Sequence, residues 1–211
     1  MAKILKLLPT RLCMKNMRLL FTLCIFTTVS CSNNRSNTLS ATIQDTQPSP
    51  TPLHIYSIAF KEGDTIPSIY TCDSSNISPA LHWNNPFKNT ASFALIVDDP
   101  DAPMGTWVHW VVYNIPASDT VLMTDIAHVS NLASDTDIIN GAKQGTTSFG
   151  KPGYGGPCPP DGTHHYHFKL YALSSVMQLP AGLSKNKLLA AMKGHILAEA
   201  DLVGLYKKKR R

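Results

Sequence analysis

The chain has 211 residues, only 16% of them charged, and 15 prolines, a balance that suits one β- and loop-rich domain with appendages and argues against a helical bundle. Its formal net charge of +5 sits mostly at the two ends, in Lys3, Lys6, Arg11, Lys15 and Arg18 and again in Lys207–Arg211. The middle is near neutral and offers no basic face, so no nucleic-acid partner is expected.

Leu19–Val29 is an apolar run of signal-peptide length, preceded by basic residues and too short to span a bilayer as a helix. It ends Thr28-Val29-Ser30-Cys31, which resembles a bacterial lipoprotein cleavage site with Cys31 as the lipidated residue. Residues 1–31 therefore read as a signal peptide, with Met1 and Met14 as alternative initiators. Residues 32–53, rich in Ser, Thr, Asn and Pro, hold too little apolar surface to fold and read as a disordered tether. The expectation is an exported protein, anchored to a membrane through lipid and facing the periplasm or the cell surface. Export leaves Cys72 and Cys158, either as one disulfide or as two free thiols.

The domain occupies residues 54–206. His54–Phe60 alternates as a first strand, and Ile66–Tyr70 fits a short second one. Thr71–Pro79 is turn-rich; Leu81 and Trp83 make a short strand that Pro86 closes. Phe93–Val97 and Trp107–Ile115 read as buried strands, joined by a polar loop that Pro100 and Pro103 stiffen. Asp119–Asn140 is weakly patterned and reads as a loop with one turn of helix. Gly141–Gly162 holds too many glycines and prolines for a regular element, and its aromatics Phe149 and Tyr154 argue for an ordered, functional loop. Thr163–Leu173 alternates as a strand. Ser184 is an N-cap, Leu188, Leu189 and Met192 an apolar helical stripe, and Gly194 the C-cap. Ile196–Tyr206 is a final strand, and residues 207–211 are a basic tail. Strands outnumber helices, so the expected fold is mainly β, a two-sheet sandwich with one or two small peripheral helices.

Two polar clusters stand out. Asp99 and Asp101 precede His109, which sits two residues after Trp107 and so on the same strand face. His109 between tryptophans needs a polar partner, and these aspartates are the nearest in sequence. The second cluster runs from Gly155 to Tyr166 and includes Pro159, Pro160, His164 and Tyr166. Convergence of His109, His164 and Tyr166 beside a glycine-rich loop with its backbone N–H groups would make a pocket for a small anion. Three other readings stay open. In one, the Asp–His pairs simply satisfy buried strand ends; in another, His165 and His167 share a strand face as metal ligands can; in the third, Cys158 pairs with a histidine as a nucleophile.

The ordered motifs resemble the phosphatidylethanolamine-binding protein family, in its bacterial Raf kinase inhibitor-like branch (YbhB/YbcL type). The residues that carry the resemblance are Asn76-Ile77-Ser78-Pro79 with Trp83, Asp99-Pro100-Asp101-Ala102-Pro103, His109-Trp110, Gly155-Gly156-Pro157-Cys158-Pro159-Pro160 and His164-His165-Tyr166. The resemblance implies a two-sheet β-fold with a small anion cavity that accepts phosphate-like head groups. It implies that Asp99, His109, His164 and Tyr166 line the cavity, that Asp101 supports it, and that Pro159 and Pro160 form its rim. It also implies that Cys72 and Cys158 lie near one another. His165 stands where the family has arginine, and Ser74 where glycine is usual. The expected function is binding of a small anionic or phosphorylated ligand, without catalysis, metal or cofactor. A protein-interaction or inhibitor module, with a kinase or protease as partner, is the rival, and a hydrolase the more distant one.

Overall fold

The computed structural model describes residues 51–126 and 141–208, all within the unit Gln47–Arg211. The expected signal peptide, Cys31 and all but the last three residues of the expected tether lie outside these residues. So do positions 127–140 and the last three of the tail. No helix among the described residues is long and apolar enough to cross a membrane.

Among the described residues, eight strands form two antiparallel sheets. A five-stranded sheet has the order β6 (Lys143–Gln144), β4 (Trp107–Pro116), β3 (Ser92–Asp99), β7 (His164–Leu173), β8 (Ile196–Tyr206). A three-stranded sheet has β1 (Ile55–Tyr56), β2 (Leu81–Trp83) and β5 (Val121–Leu122), in that order.

β3 is central because every one of its residues is buried, so both of its faces need cover. One face, Phe93, Leu95 and Val97, joins Trp110, Val112, Phe168 and Leu170 in a core shared with Ile55, Leu81, Trp83 and Leu122 of the small sheet. The other face, Ala94 and Ile96, packs with Val111, Tyr113, Tyr171 and Leu173 against Leu188 and Met192 of helix α1 (Lys185–Met192). Each fully buried Leu, Ile or Phe contributes about 1.5–3 kcal/mol, so this two-sided burial makes β3 the stable frame on which the site is hung. Lys185, the first helical residue, also bonds the buried carboxylate of Asp98, with Lys169 Nζ 3.7 Å away on its other oxygen. That fastens α1 to the sheet.

The expected first strand is shorter than its alternation suggested. Ser57 Oγ donates to the Ala80 carbonyl and accepts from the Ala59 N–H, so the chain bends and Ile58 is left exposed. Ile66–Tyr70 is not a strand. Pro67 precedes a single 3-10 turn, Ser68–Tyr70, although Ile66 N–H still bonds Leu205 O on the edge of β8. β5 and β6 fall in stretches that read as loops, because two-residue strands carry no periodic signal. Ser184 takes the N-cap position of α1 without a capping hydrogen bond, and Gly194 takes positive φ (83°) just past the helix end.

Candidate ligand-binding site

β3 runs antiparallel to both neighbours, so its last residue, Asp99, meets the beginnings of β4 and β7. Between β3 and β4 the register slips: Val97 pairs with Trp110 but Asp98 with Val108, leaving His109 as the extra residue of a bulge. A bulge re-aims a side chain, and here the His109 ring turns toward Tyr166 with centroids 5.2 Å apart in an edge-on contact. The result is a cavity of about 450 Å³. Asp99, His109, His164 and Tyr166 give it a polar end. Ala102, Pro103 and Met104 from the β3–β4 loop, Trp107, Phe149 and the Cys158-Pro159-Pro160 rim give it apolar walls.

The partners differ from those that spacing favoured. His109 is not braced by an aspartate: its Nδ1 lies 2.5 Å from the Gly155 carbonyl, which can only accept, so Nδ1–H donates. The aspartate-braced imidazole is His164, whose Nδ1 lies 2.8 Å from Asp99 Oδ2. Asp99 Oδ1 in turn accepts the Asp101 N–H. Asp101 does not line the cavity. Its carboxylate is outside, taking both the backbone N–H and Nδ1 of His165, and these bonds hold its pKa below the usual value. Asp101 thus steadies the loop that carries Ala102–Met104.

The two glycines beside the rim spend their N–H groups on the fold. Gly155 N–H donates to His109 O and Gly156 N–H to Asn76 Oδ1, while Pro157, Pro159 and Pro160 have none. Both glycines are there for close approach: a Cβ at Gly156 would lie 2.3 Å from Tyr70 O, and one at Gly155 would lie 2.2 Å from the Phe149 ring. Cys72 and Cys158 form a disulfide across a separation of 86 residues, and Cys72 N–H donates to Pro157 O, so the rim is pinned to the Thr71–Asn76 turn. Cys158 therefore carries no free thiol, which removes it as a nucleophile in this oxidation state. Pro159 is buried and Pro160 exposed.

Burial pushes the His109 pKa down, against the pull of the Gly155 carbonyl and the carboxylates of Asp99 and Asp98. Burial, with Asp99 close by, pushes the Tyr166 hydroxyl up, so it keeps its proton. That hydroxyl is buried and makes no well-formed hydrogen bond within the protein, although the Asp99 carboxylate and the Cys158 N–H lie close to it. His165 and His167 do share one face of β7, but each bonds a different carboxylate, Asp101 and Asp201. No group of three or more metal-ligating side chains gathers among the described residues.

A family model for phosphatidylethanolamine-binding protein matches residues 56–207, nearly the whole described domain. The chain belongs to the phosphatidylethanolamine-binding protein family. A relative from Aquifex aeolicus, described as UPF0098 protein, is 46% identical over 159 residues, covering 74% of this chain and 89% of its own. One from Methanothermobacter thermautotrophicus is 46% identical over 156 residues, covering 74% and 99%. Among solved structures, the Chlamydia trachomatis homolog CT736 matches with a TM-score of 0.67 at 38% identity, over 75% of this chain and 99% of that one. Escherichia coli YbcL, described as a member of the mammalian family, matches with a TM-score of 0.68 at 33% identity, over 75% and 100%. Family membership supports a binding-protein function for the domain.

The sequence marks Trp107 as the start of a buried strand and Phe149 as an aromatic of an ordered loop; the structure makes both cavity walls. Met104 carried no signal, because nothing in a Pro-Met-Gly turn marks its side chain as a wall.

Proposed function

We propose that this protein binds a small oxyanion of the phosphate type in the cavity between β3, β4 and β7, and does not turn it over. The observation that carries this reading is the Tyr166 hydroxyl, a buried donor with no well-formed protein hydrogen bond, in a cavity that His109 and His164 also line. Buried polar groups are nearly always paired, so an orphan in a cavity argues for a ligand atom that completes it. The test is a titration with inorganic phosphate or phosphorylethanolamine, followed through the His109 and Tyr166 resonances. Shifts confined to these rings and their neighbours are expected; a silent titration at millimolar ligand contradicts the reading.

A second reading has one observation of its own. Met104 is 93% exposed and Phe149 43% exposed beside the exposed Pro160, an apolar collar that would suit a protein partner. Capture of a partner that is lost when Pro159 and Pro160 are replaced would favour it.

We also propose that the domain works outside the cytoplasm, tethered through Cys31. Support comes from the signal-like N-terminus and from a disulfide whose two cysteines are solvent-exposed, a pairing that persists in oxidising compartments. Cys31→Ser should leave the precursor unprocessed by the lipoprotein peptidase; normal maturation contradicts the anchor.

A further inference from the structure

We infer that the cavity binds its oxyanion together with a proton, which lies in a hydrogen bond between an anion oxygen and the Nε2 of His109 or His164. The inference rests on the anion-binding reading above and adds its proton stoichiometry and pH control.

The argument is a count of donors. An anion needs hydrogen-bond donors or positive charge. No lysine or arginine lines the cavity, and its one fixed charge, Asp99, is negative. His109 commits Nδ1–H to the Gly155 carbonyl, and His164 commits Nδ1–H to the Asp99 carboxylate. In each neutral ring the remaining nitrogen, Nε2, is then a lone pair, an acceptor. The Gly155 and Gly156 N–H groups are already spent within the fold. Apart from the Trp107 indole N–H on the apolar wall, that leaves the Tyr166 hydroxyl and the nearby Cys158 N–H as the neutral donors at the polar end, beside two acceptor nitrogens and a carboxylate. Such a set repels a bare anion. One added proton changes two signs at once, turning an acceptor nitrogen into a donor and offsetting the charge of Asp99.

The proton comes in on the ligand, as the acidic O–H of a singly charged phosphate ester, or from solvent onto the imidazole. Both routes end in the same hydrogen bond, O–H···N or O⁻···H–N⁺, so the balance is one anion and one proton bound. The groups that act on this proton are Asp99 on β3, Asp101 on the following loop, His164 and Tyr166 on β7, Tyr154 beyond Tyr166, and from a distance Asp98, whose carboxylate is already engaged by Lys185 and Lys169. The three carboxylates favour the charged ring; burial opposes it until the anion arrives. Asp101 is exposed and already engaged by His165, so its share is small.

The experiment is calorimetric titration of the intact domain with phenyl phosphate at pH 7.5, in two buffers of different ionisation enthalpy. Its second ionisation lies at about pH 6, so the probe is mainly a dianion there. Uptake of close to one proton per anion is expected, with Kd weakening about tenfold per pH unit from pH 7 to 8.5. Benzenesulfonate, which can carry no proton, should show the same uptake. His109→Gln and His164→Gln each put an amide N–H where the lone pair was, so at least one of them should bind with less than half the uptake and a flatter pH profile. Binding with no net proton uptake and a flat profile in the wild-type protein overturns the inference while leaving anion binding intact, as does unchanged uptake in both variants. No binding at any pH from 5 to 9 overturns both.

Discussion

Asp99 and His164 come from strands that are neighbours in the sheet but 65 residues apart in sequence, and they meet as a nearly buried pair, Oδ2 to Nδ1, at 2.8 Å. The carboxylate fixes which imidazole nitrogen carries the proton. Asp99→Asn keeps the shape of the pair but offers His164 an amide N–H, so Nδ1 becomes the acceptor and Nε2–H turns to the cavity. If Asn Oδ1 keeps the Asp101 N–H bond, this tautomer is the one selected. Anion affinity at pH 8 should then rise by about tenfold, one hydrogen bond to a charged group being worth about 1.5–3 kcal/mol less the cost of reorganisation. A fall in affinity would contradict the assigned tautomer.

Tyr166→Phe separates ligand binding from stability. The hydroxyl makes no well-formed bond within the protein, and the nearby Asp99 carboxylate already has His164 and the Asp101 N–H, so its loss should change unfolding free energy by less than about 1 kcal/mol, or raise it. Affinity for phosphate should fall about tenfold or more, because the ring stays and the donor goes. Chemical denaturation and calorimetry on the same sample check both halves.

The depressed pKa of His109 predicts the acid side of the stability profile. The unfolded chain takes a proton on this histidine near pH 6.5, while the folded protein resists until lower pH. The contribution is therefore fully present above about pH 6.5 and is lost as pH falls through the folded value. The midpoint of thermal unfolding should drop as pH falls from 7 to 5, and His109→Gln should flatten that drop. Saturating phosphate should also blunt it, because the anion favours the charged ring. A wild-type profile that rises toward acid pH would contradict the assignment.

The disulfide closes a loop of 86 residues and pins the cavity rim. Replacing Cys72 and Cys158 by serine should cost about 2–4 kcal/mol of stability, seen in denaturant unfolding. Three hydrogen bonds still hold the rim, Tyr154 OH to Tyr70 O, Gly156 N–H to Asn76 Oδ1 and Cys72 N–H to Pro157 O. Anion binding should therefore survive at low temperature.

Much of this frame was legible in the sequence. β3, β4, β7 and β8 announced themselves because eight to eleven residues of apolar runs or strict alternation leave few other ways to bury them. The polar residues of the cavity were named by their motifs. What the sequence hid was pairing. Spacing tied His109 to the aspartates ten and eight residues before it, yet its partner is a carbonyl 46 residues later. A one-residue bulge decides that, and no local pattern in Trp-Val-His-Trp signals a bulge. The same blindness hid β6, whose Gln144 Oε1 accepts the Trp110 indole N–H inside the core, because a two-residue strand is defined by its neighbour rather than by itself. Ser57 shortened β1 by bonding the backbone, a choice open to serine in any strand-like run.

The central claim is that the polar end of this cavity holds an oxyanion. It is tested most directly by a crystal of the domain soaked in phosphate and refined beside an unsoaked one. The account predicts a phosphate within hydrogen-bond distance of the Tyr166 hydroxyl and of at least one Nε2 of His109 and His164. Density that remains water in the soaked crystal, with the anion elsewhere or absent, would contradict it.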